Sequence, residues 1–97
     1  MGLRFAPAVQ EFVRTLAPEP KRDIRKAIRL LARDPRHPDL DVKVLRADGA
    51  LRFFRARVRQ YRIVYSVKAN DVYVWRIVHR SEGYAWLERL DPEDSIA

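Results

Sequence analysis

Between residues 52 and 79 the chain alternates, and that alternation leaves few folds open to it. Phe54, Ala56 and Val58 interleave with Arg55, Arg57 and Arg59, so a strand here carries one apolar and one cationic face. Only Arg59 and Gln60 separate this run from Tyr61, Ile63, Tyr65 and Val67, which leaves room for a tight connection and nothing longer. After Ala69 and Asn70, residues 71–78 are β-branched and aromatic on both parities, as a strand covered on two sides requires. The expected strands 51–58, 61–68 and 71–79 read as an antiparallel meander.

A meander with one apolar face needs a cover, and the first half of the chain supplies it. Residues 3–5 suit a short edge strand leading into Pro7, a residue favoured in the first turn of a helix. Val9, Phe12, Val13 and Leu16 then fall at i, i+3, i+4 and i+7, the spacing of one helix face over 7–17. The segment Ala17-Pro18-Glu19-Pro20 breaks this helix and starts another over 20–33. There Ile24, Ala27, Ile28 and Leu31 repeat the spacing, while Lys21, Arg22, Arg25, Lys26 and Arg29 take the other face. Residues 34–39, with two prolines, end it. Residues 42–45 read as extended or loop-like, and Asp48-Gly49 as a turn. From Gly83 the pattern is helical again over 83–90, with Tyr84, Trp86, Leu87 and Leu90 available for packing. The expectation is a single α+β domain over 1–97. It comprises an antiparallel sheet of about four strands, an N-terminal helical hairpin on one face and a short C-terminal helix. The other sheet face is left to Arg55 and Arg57.

Charge is concentrated in the same region. From 43 to 80 there are ten basic residues (Lys43, Arg46, Arg52, Arg55, Arg57, Arg59, Arg62, Lys68, Arg76, Arg80) and two acidic ones (Asp48, Asp71), a net of +8. With +7 over all 97 residues, the remainder nets −1. Such a field attracts a polyanion through counterion release. Sixteen of the twenty basic residues are Arg, whose planar fork suits phosphate, so nucleic acid is the leading partner and acidic protein the other. With no cysteine, disulfide and thiolate chemistry are excluded. The three glycines are isolated, so no phosphate loop is expected. No spacing resembles a metal site, and no run approaches a membrane span or signal peptide. A cytoplasmic protein without metal or cofactor is expected.

At this point the residues resemble the RelE/ParE toxin family of type II toxin-antitoxin systems, on its RelE-like branch. The resemblance rests on Val44-Leu45-Arg46, Arg55-Ala56-Arg57-Val58, Tyr61 to Val67, Val72 to Arg80 and Tyr84. It implies a compact sheet flanked by helices, ribosome-dependent cleavage of mRNA that inhibits translation, and a cognate antitoxin encoded adjacently. Carried over by position, the active face would hold Arg55, Arg57, Arg62, Arg80 and Tyr84, with His79 beside them. Some members place Lys where this chain has Arg55 and Arg57, and others a Glu upstream, where this chain offers Lys43.

Metal-free RNA cleavage needs a base for the 2′-hydroxyl, an acid for the leaving oxygen and cations for the phosphorane. Arginine stays protonated, so Arg55, Arg57, Arg62 and Arg80 can only bind phosphate and stabilise charge, with Lys43 and Arg46 as further phosphate contacts. His79 and Tyr84 remain as the proton-transfer pair, Tyr84 alternatively stacking on a base. Each has a plainer reading. His79 shares its parity with Tyr73, Trp75 and Ile77 and could be structural, and Tyr84 could anchor the last helix. Arg62 and Arg76 could brace the sheet. Three functions stay open: a ribosome-dependent endoribonuclease, a ParE-like inhibitor of DNA gyrase without hydrolytic chemistry, and a basic domain that only binds RNA or protein.

Overall fold

The computed structural model describes residues 2–48 and 51–83, with side chains for 2–45 and 52–83; Tyr84 and the rest of the helix expected over 83–90 lie outside them. The elements are β1 (Gly2–Phe5), α1 (Pro7–Thr15), α2 (Pro18–Arg33), β2 (Asp41–Asp48), β3 (Leu51–Val58), β4 (Tyr61–Lys68) and β5 (Asp71–His79). They form an α+β domain with one five-stranded sheet in the order β1-β5-β4-β3-β2.

Two features differ from the antiparallel sheet of about four strands. Residues 41–48 form a full strand against β3, where 42–45 read as extended or loop-like. The pairing shifts between Val44 and Arg46, and that irregularity interrupts the period-2 pattern that would have marked a strand. The sheet is also mixed, because β1 runs parallel to β5, with Leu3 opposite Val72 and Phe5 opposite Val74. A parallel pair needs a long crossover. Here the crossover consists of the helices and the whole meander.

Both helices start at proline. Pro7 opens α1 and Pro18 opens α2, each preceded by an extended alanine that offers no side-chain cap. The second helix begins at Pro18, not at residue 20, since Pro18 and Pro20 both sit in the first turn, where backbone N–H groups lack helical partners anyway. Leu16 leaves α1 with its N–H on the Val13 carbonyl, and the Thr15 hydroxyl donates to the Phe12 carbonyl at 2.8 Å. After α2, the Asp34 carboxylate accepts the Arg36 N–H at 2.9 Å and turns the chain toward β2.

The core lies between the helices and one sheet face. Val9 of α1 and Ile24, Ala27 and Leu31 of α2 are buried against Phe54, Ala56, Ile63, Tyr65, Val72, Val74 and Ile77. Full burial of a side chain such as Ile24, Leu31 or Ile63 contributes about 1.5–3 kcal/mol, which holds the hairpin to the sheet. Tyr65 closes one end of this layer. Its ring stacks on Phe54 at 5.5 Å, the Arg36 guanidinium lies 5.5 Å over Phe54, and its hydroxyl donates to the Pro35 carbonyl.

The opposite face has its own apolar cluster. Phe53, Val64, Trp75 and Val78 are buried there, and the Trp75 Nε1–H donates to the Ser66 hydroxyl at 2.8 Å. Trp75 is an extra residue in β5, since Val64 faces Arg76 while Tyr65 faces Val74. The bulge resets the alternation. Beyond it, His79 shares a face with Ile77 but no longer with Tyr73 and Trp75, which corrects the parity counted from sequence.

Candidate nucleic-acid interface

On the face away from the helices, register gathers cations from four adjacent strands. One row runs Asp41, Arg57, Arg62, Val78 across β2 to β5, and the next runs Lys43, Arg55, Val64, Arg76. Neighbouring strands lie about 4.8 Å apart, so these side chains rise from a compact grid. Arg57 and Arg62 stand directly opposite each other, an arrangement that like charges make unfavourable. A sheet built for stability alone would not place them so.

Asp41 partly offsets that repulsion. Its carboxylate accepts from Arg57 Nε at 2.9 Å and lies 3.5 Å from Arg55 Nη1, which also donates to the Asp41 carbonyl at 2.9 Å. The Arg57 side chain is 55 % exposed and that of Arg55 only 16 %. Asp41 grips Arg57 through Nε, and more than half of that side chain stays exposed. Arg62 is held differently: its Nη1 donates to the Tyr61 carbonyl at 3.0 Å and reaches the Arg59 carbonyl at 3.4 Å. Sequence reasoning missed Asp41. The signal was the alternation of Asp41 and Lys43 with Val42 and Val44.

The turn beside this grid is tied to the helices. Arg59 takes a positive φ of 56° and forms an ion pair with Asp23 of α2, whose carboxylate raises the guanidinium pKa above its ordinary value by hydrogen bonding. The Arg80 N–H donates to the Gln60 carbonyl at 2.6 Å, which carries the pairing one residue past β5, and its side chain is exposed.

His79 does not join the arginine face. It lies opposite Tyr61 on the helix side, its ring edge-on to Tyr61 at 5.9 Å, and Tyr61 is in turn edge-on to Phe12 at 5.7 Å. The Ser81 N–H donates to Nδ1 at 3.2 Å, and the Ser81 hydroxyl sits 2.8 Å from the same atom. Nδ1 is therefore an acceptor, so Nε2 carries the hydrogen and donates to Gln60 Oε1 at 3.2 Å. Both ring nitrogens are engaged. The structure thus brings Lys43, Arg55, Arg57 and Arg62 together and leaves His79 behind the sheet. Arg46 lies in β2 opposite Phe53.

A second concavity lies between the helices. Phe5, Val9, Val13 and Ile28 floor a cavity of about 470 Å³, with Arg14, Lys21, Arg25 and Arg29 at its rim. Among the described residues no three His, Asp or Glu side chains gather as a metal site, and no helix is long and apolar enough to cross a membrane.

Residues 3–84 match the family model described as ParE toxin of type II toxin-antitoxin system, parDE. The fold is similar to that in the archaeal RelE-RelB complex from Pyrococcus horikoshii OT3, at 22% identity and a TM-score of 0.75, covering 84% of this chain and 97% of that one. It is also similar to that in the RelBE2 toxin-antitoxin complex from Mycobacterium tuberculosis, at 24% identity, a TM-score of 0.64, and coverage of 81% and 96%. The isolated E. coli RelE toxin matches at 20% identity with a TM-score of 0.60, over 91% of this chain and 93% of that one. No curated protein matches the chain in sequence. With a family match over most of its length and the same fold in these toxins, the chain belongs to the RelE/ParE family and is the toxin of a type II toxin-antitoxin system.

Proposed function

We propose that this toxin binds RNA across its arginine-bearing sheet face and acts as a ribosome-dependent mRNA endoribonuclease that inhibits translation in the cytoplasm. The observation that carries the reading is the Arg57–Arg62 cross-strand pair flanked by Arg55 and Lys43, a cationic grid assembled at a cost to the sheet. In this reading Arg55, Arg57, Arg62 and Arg80 hold the scissile phosphate and stabilise charge on the phosphorane, with Lys43 and Arg46 as outer contacts. Tyr84 and His79 are the proposed proton carriers. The His79 ring lies on the helix side of β5 and must swing round the end of that strand to reach a phosphate on the arginine face. His79 must release Ser81 or Gln60 before either ring nitrogen can exchange a proton.

The cognate antitoxin is proposed to seat an acidic amphipathic segment in the interhelical cavity, apolar side on Phe5, Val9, Val13 and Ile28, carboxylates toward Arg14, Lys21, Arg25 and Arg29. The similar structures from Pyrococcus horikoshii and Mycobacterium tuberculosis are a RelE-RelB complex and a toxin-antitoxin complex, which supports an antitoxin partner here.

A second reading is a ParE-like toxin that inhibits DNA gyrase without hydrolysis. It is favoured by the family match to ParE toxins and by the engagement of both His79 nitrogens away from the arginine face. Induced expression followed by mapping of mRNA 5′ ends separates the two. Cuts in translated messages that vanish in Arg57→Ala, Arg62→Ala and His79→Ala support the nuclease. Intact messages with trapped gyrase complexes refute it.

A further inference from the structure

We propose that the exposed cationic stripe of α2 is a second nucleic-acid surface, one that takes the phosphate backbone of a duplex on the side of the molecule away from the arginine face of the sheet. Arg22, Arg25, Lys26, Arg29 and Arg33 are all exposed. At 3.6 residues per turn they fall within about a third of the helix circumference, opposite the buried Ile24, Ala27 and Leu31. From Arg22 to Arg33 the stripe spans about 16 Å at 1.5 Å per residue.

Its charge is not neutralised. The two acidic residues of α2, Glu19 and Asp23, lie on the flank facing the β3–β4 turn, where Asp23 pairs with Arg59 and Glu19 adds to the field on that guanidinium. Among the described residues none of the five stripe cations forms an ion pair. The stripe also opposes its own helix: Arg22–Lys26, Arg25–Arg29 and Arg29–Arg33 are like-charge pairs at i, i+4, each destabilising. A face meant only for solvation would interleave Glu with Lys at that spacing. Self-repulsion along a line is relieved by an anion of matching linear charge, which a nucleic-acid backbone supplies.

Duplex is favoured over single strand by what the stripe lacks. Single-strand sites stack bases on aromatic rings, and α2 contains no Phe, Tyr or Trp. A rigid, straight row of guanidinium and ammonium groups reads phosphate position and shape, not bases. At the N-terminal end Pro18, Lys21, Arg22, Arg25 and Arg29 enclose a concavity of about 400 Å³ in which a strand of the backbone could seat. Acidic protein is the less suitable occupant, because the apolar floor it would use lies in the neighbouring interhelical cavity and not on the stripe.

The test is fluorescence-anisotropy titration of the full chain with a short RNA duplex, the same duplex as DNA, the single strand, and a polyglutamate peptide. The variant is Arg22→Gln/Lys26→Gln/Arg33→Gln, in which Gln keeps helix propensity and no residue rims the interhelical cavity. Duplex affinity should fall at least about tenfold near 0.1 M salt. The log–log salt slope should shrink by about 2–3, and single-strand affinity should fall far less. The duplex preferred, RNA or DNA, identifies the source of the backbone. The proposal is overturned if the triple variant binds both duplexes as the wild type does. It is equally overturned if Arg57→Gln/Arg62→Gln alone abolishes duplex binding, or if polyglutamate binds the stripe more tightly than either duplex.

Discussion

Replacing Asp41 with Asn removes the carboxylate that links Arg55 and Arg57, and its effects on stability and on RNA binding should have opposite signs. Two contacts are lost, at 2.9 Å to Arg57 and 3.5 Å to Arg55. Exposed ion pairs contribute about 0.2–1 kcal/mol each, and the Arg55 partner, with its side chain mostly covered, belongs near the top of that range. Unmasked repulsion between Arg57 and Arg62 adds a few tenths more, roughly 0.2–1 kcal/mol for a cross-strand pair. The expected loss is about 1–1.5 kcal/mol, or a fall in Tm of about 4–10 °C for a domain of this size. For RNA the same change removes one negative charge at roughly 6 Å from a bound phosphate, about 0.7 kcal/mol in a water-like dielectric. That corresponds to about threefold tighter binding. Urea unfolding and anisotropy with a short single-stranded RNA measure the two effects side by side. In an Arg57→Gln background the stability loss should shrink by the Arg57 share. A variant that is as stable as wild type, or that binds RNA more weakly, would refute the reasoning, since Asp41 would then be neither a brace nor a competing anion.

Ala69 holds a positive φ of 54° in the β4–β5 turn, so Ala69→Gly should stabilise the protein by up to about 1 kcal/mol in urea unfolding, despite the added freedom of the unfolded chain. Tyr65→Phe leaves the Pro35 carbonyl without its donor and should cost about 1 kcal/mol. Burial raises the Tyr65 pKa well above its ordinary value. The folded state therefore holds that proton more tightly than the unfolded chain, and this contribution is full below about pH 10 and declines as pH rises beyond it. Stability measured across pH 9–11 should fall more steeply in wild type than in Tyr65→Phe. Arg25→Glu turns its pairs with Lys21 and Arg29 from repulsive to attractive and should stabilise α2 by roughly 1 kcal/mol, readable in thermal unfolding, while weakening duplex binding.

Local periodicity carried most of the fold. The helices were legible because Val9, Phe12 and Val13, and Ile24, Ala27, Ile28 and Leu31, keep helical spacing without interruption. The β3–β4 hairpin was legible because Arg59 and Gln60 allow nothing else. What sequence could not resolve lies where counting slips. The irregularity between Val44 and Arg46 disguised β2, and with it Asp41; the extra residue Trp75 moved His79 to the far side of the sheet. Parity arguments are only as good as the assumption that no strand carries a bulge, and bulges leave little mark on composition. The parallel pairing of β1 with β5 was illegible for another reason, since nothing local to residues 2–5 specifies a partner near residue 72. The arginines were identified by type, and their assembly into rows needed the register.

That same pairing orders events during synthesis. Gly2 meets Asp71 and Phe5 meets Val74, so β1 has no partner until β5 has been made. Until β3, β4 and β5 have left the ribosome, the apolar stripes of α1 and α2 have no sheet to cover, and the nascent chain presents Val9, Ile24 and Leu31 to whatever binds hydrophobic segments. The meander, built from contacts close in sequence, can form first; docking of the N-terminal strand closes a loop of nearly the whole described chain and is the slow step that contact order predicts. A domain assembled in this order has no finished sheet until β5 is available, so its cationic rows and its helix-covered core are completed together and late.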